Sequence, residues 1–282
     1  MKRRELLWLG AGSLVAPALV AAATRKKAKP MKAPVIFLAH GAPMLLDDAR
    51  WVGELSTWAN AMAKPTAVLM VSAHWESRPV TLAATRTVPL VYDFYGFPER
   101  YYQTKYPAPG APDLASRVRA LLSDAKQAVA DEPTRGLDHG AYVPLVAMYP
   151  KADVPVLQVS LPSLDAGELF ALGKALAPLR DEGVLIVGSG FLTHNMRAFS
   201  DTTPAWASEF DAWAGDVLAR RDFDALVDYR NKAPAVLTAH PRPEHFVPVL
   251  VAAGAASSGD KVTFPITGFF AGSFTKRSVQ FG

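Results

Sequence analysis

The sequence predicts an α/β fold, with a single domain in which a mostly parallel central sheet is flanked by helices. From residue 34 onward, short apolar runs rich in β-branched residues alternate with amphipathic stretches of helical period. The apolar runs lack the polar alternation of a half-exposed strand, as expected when helices cover both faces of a sheet. An alternating order of strands and helices favours parallel pairing. In such sheets ligands bind at the carboxyl ends of the strands, so we expect a site at that edge.

Five strands and five helices are predicted in the chain after residue 33. Each strand is predicted from a continuous apolar run: Val35–Ala39, Ala67–Ser72, Val154–Ser160, Val184–Gly188 and Val262–Thr267. Each helix is predicted from helical spacing of apolar residues: Arg50–Ala63, Pro112–Ala128, Ala166–Leu179, Pro204–Arg221 and Glu244–Ala253. Asp165 is predicted to cap the third of these helices, because Glu168 follows three residues later in the pattern of a capping box.

Residues 1–30 have the composition of an export leader. Arg3 and Arg4 precede an apolar stretch that runs to Ala23 and ends in small residues, which is typical of a cleavable signal peptide. The arginine pair is similar to that of twin-arginine leaders. Glycines and a proline weaken the stretch as a permanent membrane span. We therefore expect a cleaved leader, one catalytic domain over residues 31–282 and a periplasmic or otherwise exported protein. The alternatives are an uncleaved anchor or a different start site, and the latter would leave the protein in the cytoplasm.

Charge and cysteine content exclude several classes of function. Residues 1–32 contain eight basic residues and one acid, whereas the whole chain has a net charge of +4, so residues 33–282 sum to −3. A mildly acidic body without a basic stripe argues against nucleic-acid binding. The chain has no cysteine, which excludes disulfides, thiolate metal sites and thiol catalysis. A transition-metal site must therefore use histidine, aspartate or glutamate.

Histidines are the main candidates for function. The chain has six: His40, His74, His139, His194, His240 and His245. Three of them, His40, His74 and His194, come at or just after the ends of predicted strands, where a parallel sheet binds ligands. Imidazole is the commonest metal ligand in proteins. The pattern predicts a metal centre, with His40 and His74 as the surest ligands.

The other three histidines lie in less regular segments. His139 is in a turn-like stretch before a helical segment, and His240 and His245 flank a proline-rich break in which Glu244 adjoins His245. Any single histidine in such a place can be structural, and His240 is the weakest candidate. A pair of histidines with one carboxylate suits non-haem Fe(II), whereas an all-histidine set suits zinc as well. Motifs for a serine nucleophile elbow, a P-loop and an H-E-x-x-H helix are absent, and the third glycine of a dinucleotide-binding fingerprint is missing.

The segment Tyr92–Pro109 is dense in aromatic residues and prolines and has no clear period. A long irregular loop in a compact domain is often functional. It is interpreted either as a lid or wall for an aromatic substrate, or as a surface loop packed by its own rings.

Seven ordered blocks of the chain resemble the class III extradiol ring-cleavage dioxygenases, and in particular their 4,5-DOPA dioxygenase-like branch. The blocks are HGAP (His40–Pro43), SAHW (Ser72–Trp75), YDFYGFP (Tyr92–Pro98), LDHGAYVPL (Leu137–Leu145), QVSLP (Gln158–Pro162), GSGFLTHN (Gly188–Asn195) and EHFVPVL (Glu244–Leu250). The resemblance runs from about Pro34 to the C-terminus. It implies an oxidoreductase that opens a catechol-type ring with O₂, taking a small aromatic diol as substrate and using one mononuclear metal ion, Zn²⁺ or Fe²⁺.

The resemblance also implies roles for individual residues. His40, His74, His194 and His245 would hold the metal, with Glu244 as the competitor of His245 for the third anchor. His139 and His194 would be the catalytic acid/base groups beside the substrate. The residue after His194, Asn195, is interpreted as a turn or cap residue in preference to an orienting group.

Two other functions fit a histidine metal centre. A zinc hydrolase would need a carboxylate base beside an open metal position, and Glu244 is the candidate. A non-catalytic metal-binding protein would need only the ligands, whereas this chain also has His139 and His194. Export into an oxidising compartment would favour zinc over Fe(II).

Overall fold

The computed structural model describes residues 31–282, and these form one large sheet with helices on both faces. The strands are β1 (Val35–Ala39), β2 (Ala67–Glu76), β3 (Val80–Leu82), β4 (Val129–Asp131), β5 (Val156–Leu161), β6 (Val184–Gly190), β7 (Val262–Ile266), β8 (Phe269–Phe270), β9 (Phe274–Thr275) and β10 (Ser278–Phe281). Eight of them form one sheet in the order β4-β3-β5-β2-β6-β1-β10-β7, and β8 pairs with β9 as a small separate ribbon.

The helices complete the layers. They are α1 (Ala49–Ala61), α2 (Pro112–Asp124), α3 (His139–Met148), α4 (Ala166–Leu176), α5 (Ala205–Arg220), α6 (Phe223–Val227), α7 (Tyr229–Lys232), α8 (Val236–Ala239) and α9 (Pro248–Ala255). Side chains of β1 alternate between two cores: Val35 and Phe37 pack with α4 and α9, whereas Ile36 and Leu38 pack with α1 and α3. Two-sided burial of this kind explains why the strand sequence is apolar at every position.

The four central strands of the sheet are parallel and are flanked on both sides by antiparallel pairs, beyond which the edge strand β4 pairs parallel with β3. Strands β5, β2, β6 and β1 pair in parallel, whereas β10 pairs antiparallel with β1 and with β7, and β3 antiparallel with β5. The predicted single α/β domain with a mostly parallel sheet is confirmed. All five predicted strands are present, but β7 was wrongly expected to be covered on both faces. It is an edge strand whose residues alternate between half-buried and exposed up to the buried Ile266.

All five predicted helical segments contain a helix, with boundaries that differ from the predicted ones by a few residues. The segment predicted as Glu244–Ala253 begins as a 3₁₀ turn at Pro243–His245, and α9 starts at Pro248. A proline lacks the N–H that would continue the helix and clashes with the preceding turn. Asp165 does cap α4, because its side chain accepts from the Glu168 N–H at 2.8 Å. Its own N–H donates to the Ser163 hydroxyl, so the second half of a capping box comes from serine.

The parallel centre determines where the functional groups can meet. Strands β1, β6 and β2 are neighbours that run in one direction, so their carboxyl ends lie side by side. His40 follows the end of β1, His74 lies near the end of β2, and residues 191–194 follow β6. Within residues 31–282, each helix is too short or too polar to cross a lipid bilayer. The predicted leader, residues 1–30, lies outside the described residues and stays a prediction.

Candidate metal centre

Five of the six histidines line one pocket at the carboxyl edge of the sheet. The pocket has a volume of about 390 Å³, within the range of small-molecule sites. Its lining consists of His40, Gly41, Ala42, Pro43, Met44, His74, Phe94, Tyr95, Phe97, His139, Phe191, His194, Met196, Phe199, His245, Phe270 and Phe274. The histidines are at the buried end, and aromatic and methionine side chains form the wall. The sequence therefore identified the histidines that meet.

Three of these histidines point the same ring nitrogen at one place. The Nε2 atom of His74 lies 3.2 Å from Nε2 of His40 and 3.2 Å from Nε2 of His245. The three residues form a group whose ligand atoms all lie within 4.8 Å of one another. We refer to His40, His74 and His245 as the histidine tripod. Its geometry is that of three imidazoles arranged around a common centre.

The His40 ring is fixed in one tautomer by Ser189, at the end of β6. Ser189 donates its hydroxyl hydrogen to the Gly140 carbonyl at 2.5 Å, so its oxygen must accept from His40 Nδ1 at 2.9 Å. With the hydrogen on Nδ1, the lone pair of His40 lies on Nε2 and faces the other two rings. Partners of this kind orient metal-binding histidines in proteins.

His245 is oriented by its own neighbour in the chain. His245 Nδ1 donates to the Glu244 carboxylate at 2.9 Å, and Arg242 lies 3.3 Å from the other Glu244 oxygen. Burial raises the pKa of Glu244, an effect that Arg242 and a backbone hydrogen bond oppose. The carboxylate is thus behind the imidazole, and the imidazole faces the tripod centre. Between the two competitors for the third anchor, the geometry favours His245 as ligand and Glu244 as its orienting group.

Asp93 connects His74, the remaining member of the tripod, to His139. One Asp93 oxygen accepts from the His139 ring at 2.8 Å and from its backbone N–H at 3.0 Å, while the other lies 3.4 Å from His74 Nδ1. Burial alone would raise the pKa of Asp93, but His139 and His74 outweigh it and the pKa is lowered. A single carboxylate therefore fixes the orientation of two pocket histidines relative to each other.

His194 has a different relation to the tripod. Its ring stacks on that of His245, with centroids 3.5 Å apart and planes 6° apart. Its ligand atoms group with Glu244 and His245 rather than with His40 and His74. His194 is thus at the side of the tripod, facing the pocket.

Burial keeps these rings uncharged. It lowers the pKa of His74 and of His194 to about 3, with the charges of neighbouring histidines adding to the effect. The same causes hold the pKa of His40 and of His245 well below the usual value. Neutral imidazoles have free lone pairs, and three lone pairs directed at one point repel unless a cation lies between them.

The first turn of α3 closes the site from below. Asp138 caps the helix by accepting from the Ala141 N–H, and the buried Gln158 amide donates to the same carboxylate. The residue after His139 must be small, because a Cβ on Gly140 would lie 2.4 Å from Ser72 Oγ and 3.0 Å from His74 Cδ2. Glycine here allows the helix to start directly against the tripod.

The aromatic segment fits both of its sequence interpretations in part. Phe94 and Phe97 line the pocket, and Tyr95 lies at its mouth. Phe94 also packs on Tyr102 with ring centroids 4.8 Å apart, and Tyr92 donates to the Thr104 carbonyl at 2.7 Å. The loop is therefore held by its own rings and at the same time forms a wall of the pocket.

His240 and Asn195, for which the sequence favoured a structural role, lie outside the pocket lining. His240 is buried, bonds the Leu192 carbonyl through Nε2 at 2.8 Å and packs between Phe210 and Phe246. Asn195 donates to the Thr238 carbonyl and accepts from the Arg197 N–H, which makes it a turn residue.

Sequence reasoning missed Asp93 and Ser189, which orient three of the five pocket histidines. Both are in motifs already recognised, YDFYGFP and GSGFLTHN. The available signal was a polar side chain inside each motif, but its histidine partner lies far away in the sequence and only the fold reveals it.

Comparison with known protein families identifies the class of protein that has this fold and this site. Residues 17–274 match the family described as the catalytic LigB subunit of aromatic ring-opening dioxygenase. The chain belongs to this family of extradiol dioxygenases and is an oxidoreductase. The resemblance to class III extradiol enzymes is confirmed.

Several similar proteins are described as 4,5-DOPA dioxygenases. The chain is 45% identical to a 4,5-DOPA dioxygenase extradiol of Beta vulgaris, over 80% of this chain and 87% of the relative. It is 37% identical to a protein of the same description from Escherichia coli K12, over 88% and 94%. A crystal structure of an uncharacterized Escherichia coli K12 protein superposes with a TM-score of 0.75 at 34% identity, over 89% of this chain and all of the other. The expected 4,5-DOPA dioxygenase-like branch is confirmed.

Proposed function

We propose that the protein binds one metal ion through His40, His74 and His245 and uses O₂ to open the ring of a catechol-type diol beside its hydroxyl groups. The observation that supports it is the histidine tripod: three Nε2 atoms face one point, and each Nδ1 faces an oxygen of Ser189, Asp93 or Glu244. Donor sets backed in this way are typical of metal centres.

The donor set fits a borderline divalent ion, and we propose Fe(II) for the active enzyme. Imidazoles bind zinc and iron alike, but zinc has no redox chemistry of its own. When bound here, Fe(II) would supply the redox step between the diol ring and O₂. Export of the protein would make Fe(II) harder to retain, so zinc is the competing occupant.

His139 and His194 are proposed as the proton-transfer groups. His139 is fixed by Asp93 through its Nδ1 atom, which leaves Nε2 available to a substrate hydroxyl. His194 stacks beside the tripod on the pocket side. A base within hydrogen-bond reach of a diol hydroxyl can remove its proton as the diol binds. The prediction that His194 is also a metal ligand stays open, and a role beside the ligands fits its stacked position better.

The pocket wall holds the ring and excludes water. Phe94, Phe191 and Phe274 surround the histidines with apolar surface. A flat aromatic substrate would pack against these rings at offset or edge-on angles. The hydrolase alternative is disfavoured, because Glu244 is engaged by His245 and Arg242 and is not a free base.

The experiment is anaerobic reconstitution with Fe(II), followed by O₂ uptake with catechol, 3,4-dihydroxyphenylalanine and caffeate. We expect one O₂ consumed per diol and a yellow ring-opened product. The His74→Ala variant should lose the metal, whereas His139→Ala should keep it and lose 10²- to 10⁴-fold in turnover. Tight stoichiometric zinc without O₂ uptake for any diol would contradict the proposal, as would normal metal content in His74→Ala.

We also propose that residues 1–30 direct export. Cell fractionation should find the protein in the periplasm, and replacing Arg3 and Arg4 by lysines should retain it in the cytoplasm. Cytoplasmic location of the unaltered protein would contradict this.

A further inference from the structure

The mouth of the pocket is apolar and exposed. Among residues 31–282, the exposed large hydrophobic side chains are Met31, Met44, Tyr95, Met196, Phe199 and Leu237. Four of them line this one pocket: Met44 (40% exposed), Tyr95 (92%), Met196 (61%) and Phe199 (57%). We call these four residues the apolar rim. A cluster of exposed apolar side chains at a binding site marks a surface that is covered when the ligand is bound.

The interior wall continues the rim down to the histidines. Phe94, Phe97, Phe191, Phe270 and Phe274 form it. Within residues 31–282, no lysine, arginine, aspartate or glutamate lines the pocket. Beyond the histidine rings and the exposed Tyr95 hydroxyl, the lining therefore offers no side chain to pair with a charged substituent.

Charged residues on neighbouring segments have partners of their own. Arg100 pairs with Asp47 at 2.7 Å, and Lys276 with Glu54 at 2.9 Å. Arg197 follows Met196 in the chain and is exposed, but it is not part of the lining. If a substrate carboxylate had an ionic partner near this pocket, Arg197 would be the candidate, and the Arg197→Ala variant tests this.

This combination selects among diols by their substituent. A carboxylate or ammonium group on the ring would lose hydration in the pocket without an ionic partner, which is unfavourable. An alkyl or aryl group would instead cover the apolar rim and gain from leaving water.

We propose that this enzyme prefers diols with an uncharged, apolar substituent, such as alkyl- or arylcatechols, over amino-acid or carboxylic-acid catechols. The inference rests on the proposed diol-cleaving function of the same pocket. It differs from the substrate in the printed names of the relatives, which is an amino acid.

The test compares 4-propylcatechol with 3-(3,4-dihydroxyphenyl)propanoate, which has a carboxylate in place of the terminal methyl. Binding to the Fe(II)-loaded protein is measured by calorimetry without O₂, and kcat/KM by O₂ uptake. We expect the propyl compound to be favoured at least tenfold in both. Along the methyl-to-butyl series, affinity should rise about threefold to fourfold per methylene. Equal or better binding of the acid, or a flat series, would overturn the proposal.

Rim variants locate the effect. In Tyr95→Ser and Phe199→Ser, the ratio of butylcatechol to catechol affinity should fall by about threefold or more. Leu237→Ser is the matched control, since Leu237 is 75% exposed and lies outside the lining. An unchanged ratio in both rim variants would overturn the proposal. So would a loss of acid binding in Arg197→Ala, because it would reveal a carboxylate site.

The two proposals fail in different ways. Absence of O₂ uptake with every diol would contradict the diol-cleaving function, but the anaerobic binding series would still decide the substituent preference. O₂ uptake that is faster with the acids would leave the function standing and overturn the preference.

Discussion

Two buried polar clusters lie at opposite edges of the same sheet, and they differ in how many of their hydrogen-bonding atoms have partners. At the amino edge, Arg180 donates to the carbonyls of Ala33, Ala255 and Phe281 and to the Asp260 carboxylate. At the carboxyl edge, the outer nitrogens of the tripod are partnered, but three Nε2 lone pairs face one another.

The difference teaches how to separate structural from functional burial. A fully satisfied cluster has no remaining capacity to bind and serves to join chain segments. In the other kind of cluster, the outward-facing polar atoms have hydrogen-bond partners and the inward-facing ones do not. Such a cluster can bind a ligand at its centre. Buried polar groups left without partners destabilise a fold unless a ligand completes them.

The largest expected effect is at the amino edge. The Arg180→Met variant loses the guanidinium that pairs with Asp260 and donates to three carbonyls, and breaking a buried ion pair costs about 3–5 kcal/mol. We expect urea unfolding to show that loss, with metal binding unchanged in the folded fraction. Arg220→Met is the control, because Arg220 forms only an exposed pair with Asp216 and should change stability by less than about 0.5 kcal/mol. Similar losses in both variants would break the comparison.

The carboxyl edge should be the acid-sensitive one. Burial lowers the pKa of His240 to about 4, against 6.5 for an unperturbed histidine. Since the folded pKa is the lower one, the unfolded chain binds the proton first, and stability is lost as pH falls from 6.5 towards 4. The loss from this residue is roughly 3 kcal/mol by pH 4.

His240→Gln isolates this contribution. Unfolding of the metal-free protein, measured from pH 7 to 4, should show a pH slope that is shallower in the variant. A slope identical to that of the unaltered protein would mean that His240 does not resist protonation in the fold.

A smaller effect is expected from the groups behind the tripod. Ser189→Ala removes the acceptor of His40 Nδ1, and losses of such partners weaken metal binding by about 10- to 100-fold. Ser160→Ala is a matched control, because Ser160 is also buried and donates to the Ser77 carbonyl. Competition with a chelator should separate the two. Equal metal affinity in Ser189→Ala and the unaltered protein would show that the serine contributes only to packing.

The smallest effect is expected at the rim. Met196→Arg adds a cation at the pocket mouth, and an exposed ion pair with a substrate carboxylate should raise kcat/KM for catechol acids by about threefold. The neutral Met196→Gln serves as control. Since the pair is exposed, the gain should disappear in high salt, and a gain that survives salt would indicate a different cause.

The sequence predicted those parts of the fold that rest on local patterns. The central strands are covered on both faces, so their apolar runs stand out, and the histidines at their ends were found with them. The short strands β3, β4 and β10 were missed because three or four residues are too few to show a period. The difference at β7 has the same origin, since edge position is a property of the sheet order and not of the strand.

The sequence identified the histidines that line the pocket, but not the residues that orient them. His40 and His74 lie at the ends of strands that the sequence predicted, whereas Asp93 comes from an irregular loop whose path depends on ring packing. The sequence alone does not show which of the neighbouring residues Glu244 and His245 faces the metal site. It depends on which side chain faces inward, and that is set by the 3₁₀ turn before Pro248.

The tripod draws its members from distant parts of the chain, with 34 positions between His40 and His74 and 171 between His74 and His245. Contacts of such separation form late in folding, because long loops must close first. A partly folded chain would thus have no complete tripod, and metal capture would report that folding is finished. A ligand that binds only the native state stabilises it by about 4 kcal/mol at a thousand times its Kd. A bound metal ion would therefore stabilise the completed fold in addition to taking part in the reaction.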